Sequence, residues 1–182
     1  MRKILFRGKC SHCDEWAYGS LVDFGEDEMP EIHGFDVFRA GQDEWREISV
    51  DRLTVGQFTG LTDKNDREIY EGDILKVDEY YNQVQSLAGS KDERQEMYDT
   101  FSIDELKGHL ERTYVTPVCF EDGTFCISSY APDDNSFLDT YLSCLFGDMR
   151  RSYPIFEFEV VGNIHDNKDV EFGRKFTAEG YR

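Results

Sequence analysis

The sequence predicts a mainly β protein: a small SH3-like barrel or β-sheet core interrupted by helical insertions, α+β overall. Three observations carry this expectation. Apolar and polar residues alternate over short segments bounded by turn residues, the period-2 pattern of half-buried strands. Asp122-Gly123 stands between alternating apolar runs, and Asp-Gly is the strongest short-range hairpin signal because both central residues need positive φ. The last apolar segment, Ile155–Ile164, sets Phe156, Phe158, Val160, Gly162 and Ile164 on one face and Glu157 and Glu159 on the other.

The elements follow in chain order. Ile4–Arg7 and Trp16–Val22 read as two strands joined by a turn at Cys10–Asp14. Gly34–Phe38 and Trp45–Val50 form a second pair, turning through Ala40-Gly41-Gln42-Asp43. Gly72-Asp73 opens a strand over Ile74–Val77. Placing Asp122 and Gly123 at a hairpin tip pairs Glu121 with Thr124, Phe120 with Phe125, Cys119 with Cys126 and Val118 with Ile127.

Two helical pieces are expected within a single domain spanning 1–182. The first is an insertion over 80–112, where glycines are few and Ser102 and Glu105 have capping-box spacing ahead of Leu106 and Leu110. Tyr80, Val84 and Leu87 add helical spacing there, with Gly89 as a stop. The second is an amphipathic helix within 135–147. It is capped by Ser136 and ended by Gly147, and Phe137, Leu138, Tyr141, Leu142, Leu145 and Phe146 form its apolar face. Such a face normally docks on its own core; left uncovered, it becomes a contact surface, with Phe137, Tyr141 and Leu145 as the partner-binding residues.

Charge narrows the partners. The 182 residues carry a net charge of −18. Between Cys10 and Phe38 there is no Lys or Arg against eight acids, and between Thr113 and Met149 none against six. Nucleic-acid binders neutralise phosphates with Lys and Arg, so direct nucleic-acid binding is disfavoured. It would need basic residues gathered by the fold, from Arg2, Lys3, Arg7 and Lys9 or from Arg150, Arg151, Arg174 and Lys175. No run approaches the roughly 18 apolar residues of a membrane span, and Met1–Cys10 lacks a hydrophobic stretch of secretory length. Five cysteines are an odd count, consistent with reduced thiols in a cytoplasm.

The segment Thr54–Leu75, TVGQFTGLTDKNDREIYEGDIL, holds Gly56, Gly60 and Gly72 and a polar loop between short strands. With ILFRGK near the start, Trp16-Ala17-Tyr18-Gly19 and the closing Val161-Gly162-Asn163-Ile164, it resembles the YopX family of phage and prophage proteins. The resemblance brackets nearly the whole chain. Asp66 departs from it by replacing a loop glycine, a position Asp tolerates because its short side chain accepts left-handed geometry. The resemblance implies a phage-derived, mainly β, cytoplasmic protein; it implies no reaction and assigns no functional residues.

The remaining constellations have ordinary structural readings. Cys10-Ser-His-Cys13 has the spacing of half a zinc site, which Cys119 and Cys126, or His12, could complete. Ordinary thiols are the better account, because a single C-x2-C pair is a weak signal. A disulfide between Cys119 and Cys126 is disfavoured by their hydrogen-bonded register as well as by compartment. His12, His33, His109 and His165 show no pairing that would support a nucleophile. His165-Asp166-Asn167 reads as a polar strand exit, and Glu157 with Glu159 as a solvated face. There is no P-loop; Gly56 and Gly60 read as turn residues, and Asp63, Asn65, Asp66 and Glu68 make at best a loose cation loop.

No catalytic or cofactor-binding residue can be named, and no cofactor is expected, a structural zinc on the four cysteines being the alternative. The sequence therefore favours a non-enzymatic module that binds a host or phage protein, or a second copy of itself. An acidic nucleic-acid mimic acting on a host DNA-binding protein and a small metal-binding hydrolase are the rival readings.

Overall fold

The computed structural model describes residues 3–41, 44–121, 123–131, 136–141 and 155–170, without the side chains of 85 and 128–141. Eleven strands fall into two antiparallel sheets among these residues. The first sheet holds β1 (Phe6–Lys9), β2 (Trp16–Val22), β3 (Glu31–Phe35), β4 (Trp45–Ser49), β5 (Gly56–Thr62) and β6 (Glu68–Tyr70) in the order β4-β3-β2-β1-β5-β6. The second holds β7 (Asp73–Asn82), β8 (Lys107–Glu121), β9 (Thr124–Ala131), β10 (Ser136–Tyr141) and β11 (Ile155–Asn163) in the order β10-β9-β8-β7-β11. The mainly β expectation holds, but the strands do not close into a barrel. Among the described residues each sheet is open, and the pairings β1–β5 and β7–β11 join strands distant in sequence.

Several expected elements stand where the sequence puts them. β2 is Trp16–Val22, and the β8–β9 hairpin pairs Glu121 with Thr124 through Val118 with Ile127. β3 begins and ends earlier than expected, over Glu31–Phe35, and pairs Phe35 with Trp45. The next residues turn away from β4: Asp36 and Arg39 adopt positive φ, and Val37 packs back into the core. In β11 the alternation breaks between Val160 and Gly162, leaving Val161 as a bulged, exposed residue.

The amphipathic helix expected within 135–147 is corrected over 136–141. Ser136–Tyr141 is a strand, paired with β9 from Ser136–Ala131 to Tyr141–Cys126; 142–147 lie outside the described residues. A short helix must meet the cost of nucleation with few hydrogen bonds of its own, whereas β9 offers a whole edge of backbone partners. The insertion is also narrower than expected. Its helices α1 (Val84–Leu87), α2 (Lys91–Thr100) and α3 (Ile103–Leu106) occupy the tip of a long β7–β8 hairpin, and Leu110 lies in β8. Ser90–Glu93 and Ser102–Glu105 both form complete capping boxes. Val84, Tyr98 and Leu106 pack with Ile155 in a small cluster of their own.

The main core lies in the second sheet, where Leu75, Val77, Val118, Phe125, Ile127, Phe158 and Val160 are buried with Ile69 from β6. A separate cluster of Ala17, Ile32, Val37 and Val50 lies under the first sheet. Gly56 and Gly60 serve different purposes from the turns expected of them. Gly60 takes φ +90° where the β5–β6 register shifts. Gly56 lies inside β5, where a Cβ would sit 2.5 Å from the Glu71 carbonyl oxygen.

Gly56→Ala therefore pushes the start of β5 away from the turn between β6 and β7. It is expected to lower stability by about 1–3 kcal/mol, the usual cost of overpacking a close backbone approach. Urea denaturation of both proteins measures this, and an unchanged midpoint would contradict it.

Candidate functional site

Arg7 of β1, in the first sheet, and Asp73 of β7, in the second, form an ion pair where the two sheets meet. Asp73 opens β7, and its Oδ1 accepts from Arg7 Nη1 at 2.6 Å while its Oδ2 accepts from the Tyr70 backbone N–H at 2.8 Å. Arg7 Nη2 also donates to the Glu71 carbonyl at 3.0 Å. Both side chains are almost wholly buried. The guanidinium lies 4.8 Å from the Trp16 ring centroid and 5.0 Å from that of Tyr70.

A groove of about 400 Å³ opens beside this centre, lined by Lys3, Tyr18, His33, Phe35, Arg39 and Trp45 among others. Strand alternation builds it. Tyr18 and Ser20 of β2, His33 and Phe35 of β3, and Trp45 and Glu47 of β4 share one face by register, while Ala17, Leu21, Ile32 and Ile48 face the core. Phe35 and Trp45 meet edge to face at 5.3 Å and stay exposed, at 64% and 52%. His33 stands edge-on to Trp45 at 6.4 Å. Opposite them, the Arg39 guanidinium lies 3.8 Å from the Tyr18 ring centroid and donates to Tyr70 Oη at 2.9 Å.

Glu68 collects the charges at this wall. It accepts from Lys3 at 2.9 Å, from Tyr70 Oη at 2.8 Å, and from Arg39. Burial pushes its carboxyl up, but hydrogen bonds from Lys3, Tyr70 and Arg39 outweigh this and bring the pKa down to about 2. Burial, then the bond to Glu68, raises the Tyr70 phenol above its ordinary value.

The cysteines are divided between the two sheets. Cys10 and Cys13 flank the β1–β2 turn, where the hydrogen bond that the Cys13 thiol makes to Cys10 is the first cause raising its pKa. Cys119 and Cys126 face each other across β8–β9 as buried thiols, their sulfurs 3.0 Å apart. Among the described residues, the one His/Cys/Asp/Glu trio whose ligand atoms all lie within 4.8 Å is Glu31, His33 and Glu47. The structure thus does not gather the four cysteines into one set.

Of the basic residues that could revive nucleic-acid binding, the three described are engaged within the fold. Arg7 is buried, Lys3 pairs with Glu68, and Lys9 pairs with Asp14 and Asp166. Arg2, Arg150, Arg151, Arg174 and Lys175 lie outside the described residues. The Asp63 carboxylate accepts from the backbone N–H of Asn65, Arg67 and Val160, so the loop's first carboxylate is taken up by its own turn and by β11. Glu157 and Glu159 bind Lys64, and Glu157 also binds Lys107. His165 packs against Trp16, and burial, then Arg7, lowers its pKa. Of the expected partner-binding residues, Phe137 and Tyr141 lie in β10, and Leu145 falls outside the described residues.

The groove residues Phe35, Arg39 and Trp45 were not foreseen. The signal for Phe35 is the alternation Glu31, His33, Phe35, which a strand starting at Gly34 conceals.

A family model described as YopX protein matches residues 5–170. The chain belongs to the YopX family. Its long motif, Thr54–Leu75, is the segment that delivers Glu68, Tyr70 and Asp73 to the Arg7 centre. Among solved structures the chain is similar to protein EF1440 from Enterococcus faecalis, at 18% identity and a TM-score of 0.38, covering 92% of this chain and 96% of that one. No curated protein matches. Within the described residues of this YopX chain, no helix is long and apolar enough to cross a membrane.

Removing Asp73 leaves the Arg7 guanidinium buried without its counter-charge. Asp73→Ala is expected to cost about 3–5 kcal/mol, read from urea midpoints. Glu68 makes an acid-limb prediction. Its folded pKa lies below the ordinary value, so its stabilising contribution is complete above the ordinary carboxylate range. That contribution is lost as pH falls from about 5 towards 2. Glu68→Gln should lower stability at neutral pH and flatten the stability profile over that window; an unchanged profile would refute the assignment.

Proposed function

We propose that this YopX-family protein is a non-enzymatic accessory module of phage or prophage origin. In this reading it acts in the cytoplasm by binding a host or phage protein through the outer face of β2–β4. One observation carries the reading: Phe35 and Trp45 stand exposed and edge to face beside a groove, held by strand pairing rather than by a loop. Trp, Tyr and Arg are the residues that most often anchor protein interfaces, and here Trp45, Tyr18 and Arg39 line one groove. The cations beside them are already engaged internally, Lys3 and Arg39 sharing the one carboxylate of Glu68, which favours apolar and stacking contacts over phosphate neutralisation.

The test is capture by a tagged copy from nuclease-treated lysate of the host cell, at low and high salt. The expected result is one specific protein retained at both salts, with capture reduced at least tenfold by Trp45→Ala, about 1.4 kcal/mol of binding. Thermal unfolding of the variant should stay close to that of the parent. Capture of a DNA-binding protein at low salt alone would replace this reading with the acidic mimic.

A further inference from the structure

We infer that Glu31, His33 and Glu47 form a binding site for a divalent transition-metal ion on the outer face of the β3–β4 hairpin. Three donors of suitable type converge there from two strands. Glu31 and His33 are two residues apart on β3 and so share a face. Glu47 lies directly across from His33 in the β3–β4 register. Their ligand atoms all lie within 4.8 Å of one another, and His33 Nε2 sits 2.8 Å from a Glu31 Oε2.

Distances and charge both fit such an ion. Nitrogen and oxygen ligands bind zinc at about 2.0–2.2 Å, so two ligands of one ion stand no more than about 4.4 Å apart. In tetrahedral geometry such ligands stand about 3.4 Å apart, so a pair near the 4.8 Å bound closes by up to about 1.4 Å. Glu47 is exposed and can supply that movement by rotating its side chain. Two carboxylates and a neutral imidazole balance a divalent charge, and the imidazole favours a transition metal over magnesium or calcium. A chain of net charge −18 also attracts the cation.

Three protein ligands leave further coordination positions for water or another donor. His33 lines the groove, so those positions border its opening. Trp45 packs against the imidazole edge and limits its rotation. The site stands independently of the partner reading, since metal binding is measured on the purified chain alone.

The experiment titrates the full-length, metal-free protein with Co²⁺, following tryptophan fluorescence and visible absorption, with Zn²⁺ calorimetry alongside. The two tryptophans separate the candidate sites: Trp45 adjoins His33, whereas Trp16 begins the strand that follows the Cys10–Cys13 turn. One bound Co²⁺ is expected, quenching fluorescence that Trp45→Phe removes and giving no thiolate charge-transfer band. His33→Gln and Glu47→Gln should each weaken binding at least about tenfold, with melting temperatures close to the parent's. Cys10→Ser/Cys13→Ser should leave affinity unchanged. Should His33→Gln unfold the chain, the exposed Glu47→Gln decides alone. Absence of binding, affinity unchanged in Glu47→Gln, or affinity lost with the cysteines would each overturn the site.

Discussion

The buried pair of Arg7 and Asp73 is the constraint on which the rest of the structure depends. Such a pair adds little net stability, because desolvating two charges offsets most of their attraction, but it tolerates very little displacement. Arg7 belongs to β1 in the first sheet, and Asp73 opens β7 in the second. The residue between β6 and β7 that precedes Asp73 is tied as tightly: Gly72 N–H donates to Val118 and its carbonyl accepts from Ile164. A few consecutive residues thus fix β1, β6, β7, β8 and the end of β11 relative to one another. The long family motif reads as the sequence requirement of that junction.

The groove inherits its position from the same junction. Tyr70 gives Asp73 its backbone N–H and gives Glu68 its phenol proton, and its ring faces both Tyr18 and the Arg7 guanidinium. Arg39 is then held between Glu68, Tyr70 and Tyr18. One wall of the groove is therefore continuous with the buried ion pair. The opposite wall, Phe35 and Trp45, rests only on the β3–β4 pairing. The two walls differ in how firmly they are held, and the exposed aromatic one is better able to adjust to a ligand.

Legibility in the sequence followed the range of the forces involved. The β8–β9 hairpin was readable to the residue because Asp122-Gly123 sets its register locally. The capping box of α3 was equally local. β10 was misread because Phe137, Leu138, Tyr141 and Leu142 repeat at helical spacing, while the deciding contribution is an edge offered by β9, remote from any local pattern. Pro132-Asp133-Asp134-Asn135 just before it has the composition of a turn and was the neglected sign of a hairpin. The binding face was hidden for a related reason. Whether His33 and Phe35 point outward depends on where β3 starts, and a small error there changes which residues appear on the exposed face. Arg39 could not be placed at all from sequence, since its position follows from a loop that folds back across the sheet.

Charge has separate roles in this molecule. The cations near the groove are spent locally, Lys3 and Arg39 on Glu68 and Arg7 on Asp73. The uncompensated acids lie elsewhere, with Glu26, Asp27 and Glu28 exposed together between β2 and β3, beside an Asp23 that pairs with Arg52. A long-range negative field and a short-range aromatic groove act on different stages of binding. The field steers cationic ligands towards the protein and changes association rates, screened over about 8–10 Å at physiological ionic strength. Stacking and burial in the groove act only at contact and set how slowly a bound ligand leaves. Pairing the groove's own cations reduces the opposition between the two effects: a basic partner drawn in by the acids meets Arg7 balanced by Asp73, and Lys3 and Arg39 sharing the single charge of Glu68.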